Sequence, residues 1–302
     1  MKRARIIYNP TSGRELFKKH LPEVLQKLEQ AGFETSCHAT TGAGDATRAA
    51  SLAVERRFDV VIAAGGDGTI NEVVNGLAEQ EYRPTLGIIP VGTTNDFARA
   101  IGVPRTIEEA TNIICEGETL PIDIGKVNGQ FFINIAGGGR LTELTYEVPS
   151  KLKTVLGQLA YYLKGMEILP SIRPTQVEIE YDGKVFEGDI MLFLVCNTNS
   201  VGGFEKLAPA ANFSDGMFDL IILKKANLAD FVKIASLALK GEHLTDPHII
   251  YTKANRIKVS TTDKMQLNLD GEYGGVVPSE FINYYQHLNV FVAKEKVTQI
   301  YG

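Results

Sequence analysis

The chain has 302 residues, 44% hydrophobic and 22% charged, which is the composition of an ordinary globular protein with room for two domains. Its formal net charge of -5 leaves no overall basic field to hold nucleic acid, so none is expected as a partner. The three cysteines, Cys37, Cys115 and Cys196, are far apart and form no CxxC pair, which favours buried reduced thiols over a disulfide or a zinc site. The basic start MKRARIIYNP lacks the apolar run of a signal peptide, and no window approaches the ~20 apolar residues of a spanning helix. A cytoplasmic protein is expected.

Strands and helices alternate in the first part. Residues 5–8 read as a strand and 16–31 as an amphipathic helix, then 34–39 as a strand and 46–56 as a helix. A buried strand over 59–64 precedes a helix at 70–77, and a strand over 86–90 precedes a helix starting near Asn95. This order implies βαβ units and a mostly parallel sheet over residues 1–125. Beyond 125 the pattern turns antiparallel. Residues 177–181, Asp182-Gly183 and 184–188 form a hairpin signal, and short strands follow at 190–196, 217–223, 256–260, 265–269 and 288–292. Helical patterns interrupt at 151–169 and 228–240, so residues 126–293 read as a β-sandwich with helical insertions. The last residues, about 294–302, could return to the first domain.

The segment DVVIAAGGDGTINEVVNG, residues 59–76, runs a strand into Gly65-Gly66-Asp67-Gly68-Thr69 and leaves by a helix. Glycines that let backbone N–H groups converge, next to a helix N-terminus, build a phosphate cradle. No Gly-Lys-Ser/Thr follows, so it is not a Walker A loop. Asp67 beside phosphate is repulsive unless a cation lies between, so a nucleotide–Mg²⁺ complex suits the loop better than bare phosphate. The alternative is a tight strand–helix turn in which Asp67 and Thr69 cap the helix. Two further strand ends carry similar loops, Asn9 to Gly13 and Pro90 to Asp96, with Thr40 after the second strand. In an open α/β sheet these carboxyl ends share one crevice.

NPTSG, GGDGTINEVVNG and GIIPVGTTNDFAR resemble the nucleotide-binding motifs of the diacylglycerol kinase catalytic-domain family, and the likeness runs over essentially the whole chain. It is nearest to the bacterial diacylglycerol kinases without membrane spans. The resemblance implies ATP held between an α/β domain and a β-sandwich, in contact with Asn9, Pro10, Thr11, Ser12, Gly13, Thr40, Gly65, Gly66, Asp67, Gly68, Thr69, Ile70, Asn71 and Thr93. It also implies direct in-line transfer of a phosphoryl group to diacylglycerol or a similar lipid. A homodimer is implied too.

In the second part Asp270-Gly271-Glu272 and NFSDGMFD (212–219) are DG turns with extra carboxylates. Spacing alone makes each a hairpin turn first. The resemblance makes Glu272, with Asp270 in the same DGE match, the acceptor of the hydroxyl proton. It puts a second, structural Mg²⁺ at the Asp215 side chain and the main-chain oxygens of Asn212 and Met217, with Asp67, Asp96 and Asp123 linking the two metals through water; Asp96 is equally suited to cap a helix. The chain departs from relatives at Gly137-Gly138-Gly139-Arg140, where a charge follows the glycines. The helix at 151–169, with Lys151, Lys153 and Lys164 flanking an apolar face, reads either as a cover on the sandwich or as a surface for transient docking on an anionic membrane at its inner face. Rival readings are a kinase for a sphingoid base, ceramide or monoacylglycerol, an enzyme like NAD kinase, or a nucleotide-binding regulator without turnover.

Overall fold

The computed structural model describes residues 1–139, 174–199 and 206–301. The expected helix at 151–169, with Arg140, lies outside the described residues. Two compact units form: Met1–Asp123 with Gln286–Gly302, and Ile124–Tyr285.

In the first unit, β1 (Lys2–Tyr8), β2 (Phe33–Ala39), β3 (Val60–Gly65) and β4 (Thr85–Pro90) pair in parallel in the order β2-β1-β3-β4. Strand β3, VVIAAG, is buried along its whole length, the mark of a central strand covered on both faces. Helices α1 (Leu16–Gln30), α2 (Asp45–Glu55), α3 (Asp67–Ala78), the short α4 (Asp96–Ala100) and α5 (Ile107–Glu116) fill the connections. Helix α1 packs on α5, and α2 on α3. The α2–α3 approach is close: a Cβ at Gly76 would lie 2.4 Å from the Thr47 carbonyl oxygen.

The second unit is antiparallel. Strands β5 (Thr119–Val127), β6 (Gln130–Phe132) and β7 (Ile135–Gly138) lead into the hairpin of β8 (Thr175–Tyr181) and β9 (Lys184–Cys196). Asp182 (φ 45) and Gly183 (φ 79) make its two-residue turn, the type I′ geometry that Asp-Gly accommodates. Next come β10 (Phe218–Lys224), helix α6 (Leu228–Lys240), β11 (Ile249–Ala254), β12 (Arg256–Ser260), β13 (Gln266–Leu269), β14 (Glu272–Val276) and β15 (Ser279–Phe291). The strand order is β14-β13-β7-β9-β8-β12-β15, with β10 joining β9 and β11 joining β10. The core rings Phe132, Phe193, Phe218 and Phe281 are fully buried, with Phe132 stacked 5.5 Å from Phe218 and edge-on to Phe281 at 6.4 Å.

The architecture is the parallel α/β part followed by the antiparallel sandwich that the sequence implied. The chain returns to the first unit earlier than about residue 294. Strand β15 is 13 residues long, and Val290 near its end pairs in parallel with Leu86 of β4. Helix α7 (Lys294–Tyr301) follows it.

Candidate active site

The loops after β1, β3 and β4 converge, and glycine is what lets them. Gly92 presses on Gly66: a Cβ at Gly92 would lie 2.5 Å from the Gly66 Cα. Gly13, at φ 57, presses on Val91, whose carbonyl oxygen would be 2.4 Å from a Cβ there. Backbone hydrogen bonds tie the strand ends together, Asn9 N–H to the Ala64 carbonyl at 3.0 Å and Val91 N–H to that of Gly65 at 3.0 Å. Thr40 joins the same edge by donating its N–H to Tyr8 at 2.9 Å. The residues Asn9, Pro10, Thr11, Ser12, Gly13, Thr40, Gly65 to Thr69 and Thr93 therefore surround one group of strand ends.

Within this group the side chains divide by role. The Asn9 Oδ1 accepts from the Thr11 N–H (3.0 Å) and hydroxyl (2.9 Å), a local turn that shapes the first loop. Thr11 and Thr93 are exposed. Thr69 folds back over Gly65, where a Cβ would be only 2.5 Å from its side chain. Ile70 is fully buried, so it faces the core and offers the loop only its backbone. Asn71 accepts from the Asn75 side chain one turn on.

Asp67 opens α3, yet its carboxylate reaches across to the start of α4. Oδ2 accepts the Asn95 N–H at 2.8 Å, and the Asp96 and Phe97 amides also point at the carboxylate. Burial nevertheless holds its pKa above the ordinary carboxyl value, because desolvation outweighs those bonds. The Asn95 side chain closes the neighbouring loop, accepting from Gly92 N–H at 3.0 Å and donating to its carbonyl at 2.8 Å. Asp96 pairs with Arg99 at 3.5 Å. Asp123 is fully buried and accepts the Gln286 N–H at 2.7 Å. Among the described residues no group of three or more His, Cys, Asp or Glu side chains is gathered as a metal would need. Asp67, Asp96 and Asp123 thus do not form such a cluster, and each is engaged with backbone or with arginine.

In the second unit the DGE turn joins β13 to β14. Asp270 sits at φ 50, which Asp and Asn tolerate better than other residues. Its carboxylate accepts three backbone amides, Ile133 (2.8 Å), Asn134 (3.0 Å) and Ile135 (2.8 Å), while its own N–H donates to the Ile135 carbonyl at 2.9 Å. Asn197 adds to this frame, its side chain donating to Ile133 at 2.9 Å. Glu272, by contrast, is exposed at the first position of β14. Asp270 fixes the turn, and Glu272 is presented by it. Gly139, at φ 117 and with no room for a Cβ beside Leu192, ends the glycine run before Arg140.

At the SDGMF turn, Asn212 and Asp215 each fold onto a backbone N–H two residues on, Ser214 and Met217, both at 3.1 Å. The other Asp215 oxygen lies 2.6 Å from the Lys253 Nζ, and Asn255 donates to the Gly216 carbonyl at 2.9 Å. Sequence reasoning passed over Asp219, which is fully buried and bonded to the Tyr251 hydroxyl. Its second oxygen has no hydrogen-bond partner; Lys253 stands 3.9 Å away. Burial raises its pKa, and the nearby Asp215 adds to the effect. Asp215 and Asp219 thus both face the Lys253 ammonium, Asp215 directly and Asp219 from further off. These oxygen donors fit a hard divalent cation such as Mg²⁺.

Residues 3–127 match the diacylglycerol kinase catalytic domain, and residues 144–292 match the YegS C-terminal NAD kinase beta sandwich-like domain. A diacylglycerol kinase of Bacillus subtilis is 73% identical over 99% of each chain. One of Staphylococcus carnosus is 55% identical over 97% of this chain and 96% of its own. Among solved structures, a diacylglycerol kinase from Bacillus anthracis superposes with a TM-score of 0.83 at 31% identity, covering 97% of this chain and 98% of the other. This chain belongs to the diacylglycerol kinase family of lipid kinases.

Proposed function

We propose that the chain moves the γ-phosphoryl group of ATP onto the free hydroxyl of diacylglycerol, giving phosphatidic acid and ADP by direct in-line displacement. The convergence of Gly13, Gly66 and Gly92 at the ends of β1, β3 and β4 carries the reading. Three loops whose backbones touch without side chains between them suit a polyphosphate better than any apolar ligand. Asn9, Thr11, Ser12, Thr40, Thr69, Asn71 and Thr93 would contribute polar groups around the nucleotide. Mg²⁺ bound there would neutralise phosphate oxygens as charge moves to the leaving group. Asp67 would then face the nucleotide–metal complex, and Asp215, with the Asn212 and Met217 carbonyls, would hold a second, structural Mg²⁺.

Glu272 would take the proton from the acceptor hydroxyl as its oxygen attacks phosphorus. An exposed carboxylate at the start of β14 is open to an incoming hydroxyl, as a general base must be. Asp270 would not touch the substrate; its three amide bonds hold the turn from which Glu272 projects. Since the acceptor lives in a bilayer, the enzyme would work peripherally at a membrane surface. Among the described residues no helix is long and apolar enough to cross one.

The test offers labelled ATP with diacylglycerol, sphingosine, NAD or no acceptor, each with and without Mg²⁺. Transfer to diacylglycerol alone, dependent on Mg²⁺, is expected, and Glu272→Gln should lower kcat by about 10²–10⁴-fold while nucleotide still binds. Preferred transfer to sphingosine or NAD would replace the acceptor, and full turnover by the Glu272 variant would remove the base.

A further inference from the structure

The loop between β2 and α2, residues 40–44, brings Thr40 to the group of strand ends but has little of its own to hold it. Thr41, Gly42 and Ala43 are exposed, and the loop buries no apolar side chain. At its start Thr40 donates its N–H to Tyr8 at 2.9 Å. Asp45, in the first turn of α2, accepts the Thr41 N–H at 2.8 Å and its hydroxyl at 2.9 Å, which closes the loop on itself. Neither contact ties it to α3, the helix that opens with the glycine loop.

The far end of the loop is the N-terminus of α2, whose first amides have no partner within the helix. The residue before a helix commonly answers one of them with its side chain, but here that residue is Gly44, at φ 75. The answer comes from α3. Glu72 uses both carboxylate oxygens: Oε1 accepts the Gly44 N–H at 2.9 Å and Oε2 the Ala46 N–H at 3.0 Å. Its negative charge also meets the positive end of the α2 dipole. Glu72 and Gly76 lie one turn apart on the side of α3 turned to α2. At Gly76 a Cβ would be 2.7 Å from that of Ala50, which is the approach that brings Glu72 within reach. Hydroxyls of α2 complete the seam, Thr47 donating to the Glu72 carbonyl at 2.9 Å and Ser51 to that of Gly76 at 3.2 Å. Apolar packing is non-directional and fixes the sliding of one helix along another only weakly. Two charge-assisted bonds at the helix end are directional and fix it.

We propose that Glu72 is a positioning residue of the nucleotide site, whose carboxylate holds the loop bearing Thr40 in register with the glycine loop at the start of its own helix. This rests on the ATP-binding reading given above. Glu72 itself touches no nucleotide, so its effect falls on nucleotide binding and leaves the chemical step alone.

The test compares Glu72→Gln, Glu72→Asp and Ser51→Ala in calorimetric titration with Mg-ATP and in steady-state transfer to diacylglycerol in neutral detergent micelles. Glutamine keeps one acceptor and sets an NH₂ against the other amide, so the dissociation constant and KM for ATP should each rise about tenfold, with kcat and the KM for diacylglycerol unchanged. Aspartate keeps the charge but draws the oxygens back by a methylene; it gives an independent measure should the glutamine variant not fold, and a rise of at least about threefold is expected. Ser51→Ala removes a bond of the same seam two turns along α2 from the loop, and should lower the thermal midpoint without moving the KM for ATP. Unchanged ATP affinity in both Glu72 variants overturns the positioning role alone. So does a fall in kcat at constant KM, or an equal loss of ATP affinity in Ser51→Ala, which would make Glu72 ordinary helix packing. An unsubstituted chain that binds no ATP removes the nucleotide reading itself.

Discussion

Replacing Asp270 by asparagine should damage stability and turnover together, whereas Glu272→Gln should damage turnover alone. Asp270 is bound by the amides of Ile133, Asn134 and Ile135, residues only 2%, 5% and 8% exposed, so a lost bond is not replaced by water. Asparagine tolerates the positive φ at this site, so backbone strain stays nearly constant. An amide has one acceptor atom instead of two. One orientation faces Oδ1 toward Asn134 and Ile135 but turns the NH₂ onto the Ile133 N–H; the other sacrifices two bonds. Hydrogen bonds to a charged group contribute about 1.5–3 kcal/mol each. A loss of about 2 kcal/mol follows for the better orientation, and at 2–4 °C per kcal/mol the midpoint falls by about 4–8 °C. Thermal unfolding followed by circular dichroism, beside steady-state assays at saturating ATP, measures both effects. Glu272 is exposed, and its substitution should move the midpoint by less than about 0.5 kcal/mol. An Asp270→Asn variant that melts with the unsubstituted protein would show that the three amides do not hold the turn, and a stable variant with Glu272-like kinetics would return Asp270 to the chemistry.

Gly92→Ala forces its Cβ to within 2.5 Å of Gly66, backbone against backbone, so the two loops must part; a stability loss of about 1–3 kcal/mol and a rise in the ATP dissociation constant at unchanged fold are expected from calorimetric titration. Asp45 accepts from the Thr41 N–H and hydroxyl and faces His38, which lowers its pKa to about 2 from an ordinary 3.8. A depressed carboxyl stabilises the fold above pH 3.8 and loses that contribution as pH falls toward 2, so the steep drop of the thermal midpoint between pH 4 and pH 2 should flatten in Asp45→Asn.

How far the sequence carried depended on whether a signal was local. The Asp-Gly hairpin, helix α6 and strand β3 each announce themselves within a dozen residues, by turn chemistry or by period. Strand β9 reads instead as two pieces, because Gly188 and its charged neighbours Glu187 and Asp189 look like a break. In the fold they lie in the half of β9 that pairs with β8, where alternate side chains face solvent. Strands β5 to β7 were missed for a similar reason. Pro121, Asp123 and Gly125 resemble loop residues, yet Gly125 is there to admit the Phe132 ring, which a Cβ would meet at 2.1 Å. The loops of the candidate site were legible because each sits at the end of its own strand. Asp219 was not, since its partners arrive through a cross-strand register, Asp219 opposite Lys253 with Tyr251 two residues away, and no spacing along the chain encodes that pairing.

Asp67 shows why the glycine loop needs more than glycine. A carboxylate at the N-terminus of α3 opposes bound phosphate, and a divalent cation between them is one remedy. The fold supplies another that acts before any ligand arrives: the amides of Asn95, Asp96 and Phe97 at the start of α4 donate to the carboxylate, so the side chain is held against the VGTTND segment and not left in the cradle. The bond from Asn95 therefore couples the two loops that Gly66 and Gly92 bring into contact. Under the proposed function, removing the carboxylate would take away the group facing the nucleotide–metal complex and, with it, the strut to Asn95. Asp67→Asn, which keeps an acceptor for the Asn95 amide, separates these roles, because it should retain the fold while losing the dependence of nucleotide affinity on Mg²⁺.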